Sequence, residues 1–285
     1  MRNALKIAYD AFVRLNDDDG WAIASHIALS ALMSMFPFLI FVTALAAVFG
    51  TKELVDQTAL LLLETWPREV ADPIAGQIHD VLTNLRTDAL TFGIVLALYF
   101  SSSGIESLRI GLNRAYGVKE PRSWWLLRLE SIGYVLIAAL ALLALAFLVV
   151  LGPLILATLN RYVRWLEPLS WLVTVARYST ASVVIIIALV VVHKWLPAGR
   201  RSMTQIAPGI LVTLGLWLGA GAAFGLYLAE FAYTYVTYYA GLASGMIALV
   251  FLYLTALIFI YGGELNAAIQ RATAKRPVRA KAGGG

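Results

Sequence analysis

The 285-residue chain has no cysteine, only three histidines and only 14% charged residues. Without cysteine there is no disulfide, no thiolate metal ligand and no thiol nucleophile. The histidines, His26, His79 and His193, make no His-x-x-x-His pair and sit in no dense Asp/His cluster. A metal hydrolase site needs such convergence, so no metal centre is expected. No Gly-x-x-x-x-Gly-Lys-[Ser/Thr] loop and no Gly-x-Ser-x-Gly elbow is present. The first absence excludes a pump with its own ATPase, and the second a serine-hydrolase elbow. No cofactor and no catalytic residue is expected. Soluble domains carry about 25% charged residues. A chain that is 14% charged and 60% hydrophobic, with a mean hydropathy of +0.78, has too little polar surface for that class.

What the chain has instead is long apolar runs, clearest over 134–159, 178–192, 206–229 and 242–260. Roughly 20 apolar residues of helix cross the hydrocarbon, and only helices and closed barrels satisfy every backbone group there. The fold class read from this pattern is all-α: a polytopic bundle of six transmembrane helices. The spans fall at about 22–50, 89–112, 128–156, 171–195, 204–229 and 242–268. The first contains Pro37, which marks a helix break or kink. It is too long for the apolar core of a cleaved signal, which runs about 7–15 residues.

Charge sets the orientation. With the N-terminus inside, 16 of the 22 Lys and Arg fall on cytoplasmic segments and 5 on outer ones, while Arg177 lies within a span. Positive residues stay inside, so both termini are expected to be cytoplasmic. The +5 net charge then reports topology rather than nucleic-acid binding. Residues 1–20 read as an amphipathic cytoplasmic segment with Leu5, Ala8, Phe12 and Leu15 on one face, closed by a turn at Asp17-Asp18-Asp19-Gly20. Residues 21–270 form the membrane domain. Its outer (periplasmic) loop, about 51–88, is helical, with Ile74, Ile78, Val81, Leu82 and Leu85 on one face. Residues 271–285 are a basic, disordered tail.

Ionisable groups inside a span are expensive, which makes each a candidate site. His26, Ser30 and Ser34 share one face of the first span; Ser102, Glu106, Arg109 and Asn113 share one face of the second. Glu264 and Asn266 stand at the inner end of the sixth. These nine residues are the candidate lining of a polar cavity in the cytoplasmic half, with Glu264 paired to Arg109 or Asn113. The competing reading is interhelical hydrogen bonding that glues the bundle. Arg177 and Glu230 form a candidate outer-side pair. Gly215, Gly219, Gly221 and Gly225 give two Gly-x-x-x-Gly pairs for close helix packing. Tyr227, Tyr233, Tyr235, Tyr238 and Tyr239 make an aromatic belt.

Several segments resemble the YihY/BrkB family of bacterial inner-membrane proteins, once labelled ribonuclease BN. Ala28-Leu29-Ser30-Ala31-Leu32-Met33-Ser34-Met35-Phe36-Pro37 is similar to the family's A-x-x-Y-x-x-L-S-[LI]-F-P, without its tyrosine. Gly111-Leu112-Asn113-Arg114-Ala115-Tyr116-Gly117, with Glu120 and Arg122, is similar to its L-N-x-x-[YW]-x … [ER]-x-R segment. Ala207-Pro208-Gly209, Tyr239-Ala240-Gly241-Leu242 and Tyr261-Gly262-Gly263-Glu264-Leu265-Asn266-Ala267 follow in order. The resemblance implies a six-span inner-membrane protein with links to the envelope and to lipid or lipopolysaccharide traffic. The expected activity is transport or flipping of a lipid or other amphiphile, with membrane lipids and other envelope proteins as partners and no nucleic acid. A proton-coupled transporter of small solutes or ions, using Glu106 or Glu264, and a non-transporting envelope scaffold are the alternatives. Ribonuclease activity finds no residues to carry it. Oligomeric state is not legible.

Overall fold

A computed structural model of the chain describes residues 2–49, 87–162, 170–239 and 242–282. Among them are seven helices and no strand: α1 (Arg2–Asp17), α2 (Gly20–Phe49), α3 (Thr87–Ala115), α4 (Trp124–Tyr162), α5 (Ser170–Trp195), α6 (Met203–Tyr239) and α7 (Ala243–Ala282). Each span read from the sequence falls on one of α2 to α7. Four helices are long and apolar enough to cross a membrane: Gly20–Leu39 in α2, Trp124–Leu145 in α4, Met203–Phe231 in α6 and Gly245–Ala274 in α7. α5 adds a shorter apolar stretch, Ser179–Trp195. Their surfaces suit lipid. Leu211, Leu218 and Leu226 recur at seven and eight residues along one face of α6, and all are highly exposed. Trp21, Trp124, Trp125 and Trp195 are also exposed, at the starts of α2 and α4 and the end of α5. Tryptophan at helix ends is the ordinary mark of a membrane–water interface.

Several expectations need correction. Pro37 does not break its helix: α2 runs unbroken from Gly20 to Phe49 with Pro37 inside. A proline removes one backbone donor, and neighbouring residues carry the helix past the gap. Along α1, Ala11 packs with Leu265 and Ala268 of α7 and Leu15 is buried, while Leu5 and Phe12 are exposed, Leu5 at 73%. α7 extends to Ala282, into the segment read as a tail. The outer loop at 51–88 lies almost wholly outside the described residues.

The described turn between α1 and α2 is as read. Asp19 has φ 57°, and its carbonyl accepts the first bond of α2 from the Ile23 amide at 3.0 Å. Gly20 follows because a Cβ there would strike the Leu15 side chain and carbonyl.

The chain divides into two compact units. One comprises Met1–Leu32, Gly104–Leu127 and Ala188–Gly285; the other Met33–Ser103 and Arg128–Ile187. In the first, α7 packs against α6 and α1. A Cβ on Gly209 of α6 would fall on the Gly262 carbonyl oxygen and the Asn266 amide. One on Gly262 would fall on Thr213 Oγ1 and within 3.0 Å of the Gly209 carbonyl. Two backbones therefore meet here with room for hydrogen only. The close approach expected at Gly215, Gly219, Gly221 and Gly225 is absent, because a Cβ at any of them meets no described atom within 4 Å. Further along, Trp217 Nε1 donates to the Thr255 carbonyl at 3.0 Å, a second tie between α6 and α7.

In the second unit, Arg128 is buried rather than free in a loop. Its guanidinium lies 3.8 Å over the Tyr99 ring, and Nη2 donates to the Tyr99 carbonyl at 2.8 Å. The same carbonyl accepts from Ser102 Oγ at 2.7 Å. Ser101 returns its hydroxyl to the Ala97 carbonyl. These serines satisfy themselves within α3, as hydroxyls in apolar helices do.

Candidate functional site

Many of the buried polar groups of the first unit gather at the connections α3–α4 and α5–α6 and midway along α7. Two asparagines organise them. Asn113, in the last turn of α3, accepts from the Ala198 amide at 2.7 Å and donates to Glu120 Oε2 at 3.0 Å. Glu120 in turn takes two bonds from Arg122, at 2.7 and 2.8 Å, and Arg122 donates onward to the Leu196 carbonyl at 3.0 Å. One asparagine thus ties the α5–α6 connection to the α3–α4 connection through a carboxylate and a guanidinium. Buried carbonyls and amides of connecting segments must find partners, and this chain of bonds supplies them.

Asn266, fully buried on α7, does the same for α6. Its Oδ1 accepts from the Gly209 amide at 2.7 Å; its Nδ2 donates to the Ile206 carbonyl at 3.0 Å and to the Tyr116 hydroxyl at 3.2 Å. Pro208 sits near the start of α6 and brings no amide of its own. The Asn266 amide bridges the backbone on either side of it. Over the Tyr116 ring, at 3.8 Å, lies the Arg201 guanidinium, which also donates to the Ala198 carbonyl at 3.0 Å. Burial pushes the Tyr116 hydroxyl above its ordinary range, and burial lowers Arg201.

Glu120 moves the other way. Its bonds from Arg122 hold the carboxyl well below the usual carboxylate range, at about 2, with the Asn113 amide assisting and partial burial opposing. A carboxyl depressed on folding stabilises the protein above its unfolded value and loses that contribution as pH falls through the folded one. Stability is therefore expected to drop as pH is lowered from about 4.5 toward about 2, and Glu120→Gln should flatten that part of the profile. Detergent-solubilised melting curves of both proteins across this range check it; parallel profiles would exclude Glu120 as the cause.

Glu264 is unlike these. It is 1% exposed, and neither carboxylate oxygen has a hydrogen-bond partner among the described residues. Its cation is Arg271, at 3.6 Å, and not the expected Arg109 or Asn113. Residues seven apart lie on one helix face two turns removed, so Arg271 reaches back along α7. Arg109 is buried too, but its partners are Glu106 at 3.7 Å and the Leu127 carbonyl at 3.2 Å.

Of the nine candidate lining residues, seven lie in the first unit: His26, Ser30, Glu106, Arg109, Asn113, Glu264 and Asn266. His26 is exposed and stands 3.4 Å from Ser107 Oγ. Ser34 and Ser102 belong to the second unit. Glu230 is exposed, and the Arg177 side chain lies outside the described residues, as do those of Tyr233, Tyr235, Tyr238 and Tyr239. The stripes missed Tyr116 and Arg201, whose stacking joins residues 85 positions apart and leaves no periodic signal.

Apolar helices long enough to span a bilayer, with buried charges inside them, define a multi-pass helical membrane protein. The chain belongs to the family described as virulence factor BrkB, whose model matches residues 11–283. It is 27% identical over 263 residues to a ribonuclease-like protein, YfkH, of Bacillus subtilis, covering 92% of this chain and 94% of that one. It is 25% identical over 269 residues to a UPF0761 membrane protein of Rhodospirillum centenum, covering 94% of this chain and 58% of that protein. No solved structure matches.

Proposed function

We propose that this protein moves a lipid or other amphiphile across or within the bilayer, with no ATPase of its own. Glu264 carries the reading: a buried carboxylate in a spanning helix, with neither oxygen hydrogen-bonded among the described residues. A charge held that way is costly. It contrasts with Asn113, Glu120 and Asn266, whose bonding is spent on holding connections together. The strongly exposed apolar face of α6, in the same unit as Glu264, offers acyl chains a surface. The word ribonuclease belongs to the relative's name, and we do not carry it over. Among the described residues no group of three or more His, Asp or Glu is placed to hold a metal.

The test is reconstitution of the purified full chain in vesicles carrying fluorescent lipid in one leaflet. Transbilayer movement should be accelerated by the protein and slowed at least about tenfold, or 1.4 kcal/mol, by Glu264→Gln. No acceleration over protein-free vesicles would sink the proposal. We place the protein in the bacterial inner membrane, with six spans and both termini cytoplasmic, on the 16-to-5 charge bias. With cysteines introduced singly into this cysteine-free chain, an impermeant thiol reagent applied to intact cells should label Thr58→Cys and spare Ala280→Cys. The reverse pattern would invert the orientation.

A further inference from the structure

α7 holds a pair of opposite charges that is paired without being satisfied. Among the described residues both Glu264 oxygens lack a hydrogen-bond donor, and Arg271 Nη2, the atom that faces them at 3.6 Å, lacks an acceptor. Two groups this close ordinarily close to hydrogen-bonding distance, about 2.7–2.9 Å for a charge-assisted bond. Here they stand apart, each with unused capacity. Glu264 and Arg271 Nη2 are both buried, while the Arg271 side chain as a whole is 34% exposed, so the pair is reached along the rest of that side chain. α1 packs against the same helix, through Ala11 on Leu265 and Ala268, and is tied by the Tyr261 hydroxyl donating to the Ala8 carbonyl at 3.2 Å.

The surrounding charge restricts what can enter. Arg14 of α1 and Asp18 of the following turn act on the same pair. These four groups are two carboxylates and two guanidinium groups, so their charges balance. A ligand with net charge would leave that charge uncompensated in a region of low dielectric, at a penalty of several kcal/mol per ion. A ligand carrying both signs avoids this. Its cation takes Glu264 and its anion takes Arg271, so each protein charge exchanges one partner for another and the balance is kept.

We infer that Glu264 and Arg271 form a receiving site for a zwitterion with a primary ammonium and an anionic phosphate oxygen, the chemistry of an ethanolamine phosphate head group. The ammonium supplies N–H donors to the two bare oxygens, and the phosphate accepts from the free Arg271 nitrogen. A quaternary ammonium has no N–H to give Glu264, and a phosphoglycerol group has no cation at all. This assignment rests on the transport reading above only for its occupant being a lipid.

Binding to the purified full chain in detergent tests it by calorimetry, using short-chain phosphatidylethanolamine, phosphatidylcholine and phosphatidylglycerol. Phosphatidylethanolamine should bind about tenfold more tightly than either of the others. Glu264→Gln, which keeps the shape and removes the charge, should erase the preference, and Arg271→Lys should reduce it. Equal binding of the three lipids by the unaltered protein overturns the assignment and needs no variant. So does a preference that survives Glu264→Gln in protein that still elutes and melts as the parent does. Glycerophosphoethanolamine separates the two sources of the same chemistry. If it competes as well as the short-chain lipid, the zwitterion site stands and the lipid reading of its occupant fails. If it competes at least about tenfold less well, the acyl chains contribute and the occupant is a lipid.

Discussion

Alanine at Gly209 is expected to destabilise the protein by about 2–3 kcal/mol, near the upper end of the range for overpacking a filled interior. The added methyl would be directed at the Gly262 carbonyl oxygen and the Asn266 amide. The first is backbone, and the second is fixed by three hydrogen bonds, so neither can move aside cheaply. Gly219→Ala, ten residues further along the same helix, meets no described atom within 4 Å and should change stability by less than about 0.5 kcal/mol, as surface substitutions do. Unfolding midpoints of the two variants in one detergent check the contrast. Equal losses, or a larger loss at Gly219, would show that the tight crossing is not at Gly209.

Asn266→Asp should have a comparable effect through the opposite mechanism. The change preserves shape and keeps one acceptor for the Gly209 amide. It deletes the two N–H bonds to the Ile206 carbonyl and the Tyr116 hydroxyl, and sets a carboxylate oxygen against the carbonyl. Each buried group left without a partner costs about 1–3 kcal/mol. A loss of roughly 3 kcal/mol is expected, smaller at acidic pH where the new carboxyl is protonated and can donate again. Trypsin sensitivity at the cation-bearing α5–α6 connection offers a second readout, because Asn266 holds the α6 start that follows it. Unchanged melting and unchanged digestion would mean that the Asn266 bonds contribute nothing net.

The helices were legible because a bilayer enforces one rule, long apolar segments with internally satisfied backbone, and that rule is written in consecutive residues. The positions and order of α2 to α7 follow from it, while α1 was read from its amphipathic pattern. Side-chain partnerships were far less legible. The stripe on α3 correctly grouped Glu106 with Arg109, which are three residues apart and share a face by helical geometry alone. The pairing of Glu264 was misassigned because depth in the membrane was used as a proxy for contact, whereas the nearer solution was two turns along the same helix. Gly209 and Gly262 carry no Gly-x-x-x-Gly spacing between them. Their approach depends on how α6 crosses α7, which no single-helix pattern encodes. Of the break or kink read at Pro37, the break does not occur, since a missing donor removes one bond of a 30-residue helix and not the helix.

The two asparagine clasps bear on what kinship in this family conveys. The segments that resemble the family's motifs contain Asn113, Glu120, Arg122, Gly209 and Asn266, and in this fold those residues bind connections and helix ends to one another. Residues spent on a frame describe that frame and leave function open, so members that share them are free to differ in what they do. If the transport proposal holds, differences in substrate should sort with the residues around Glu264 and Arg271 rather than with these motifs.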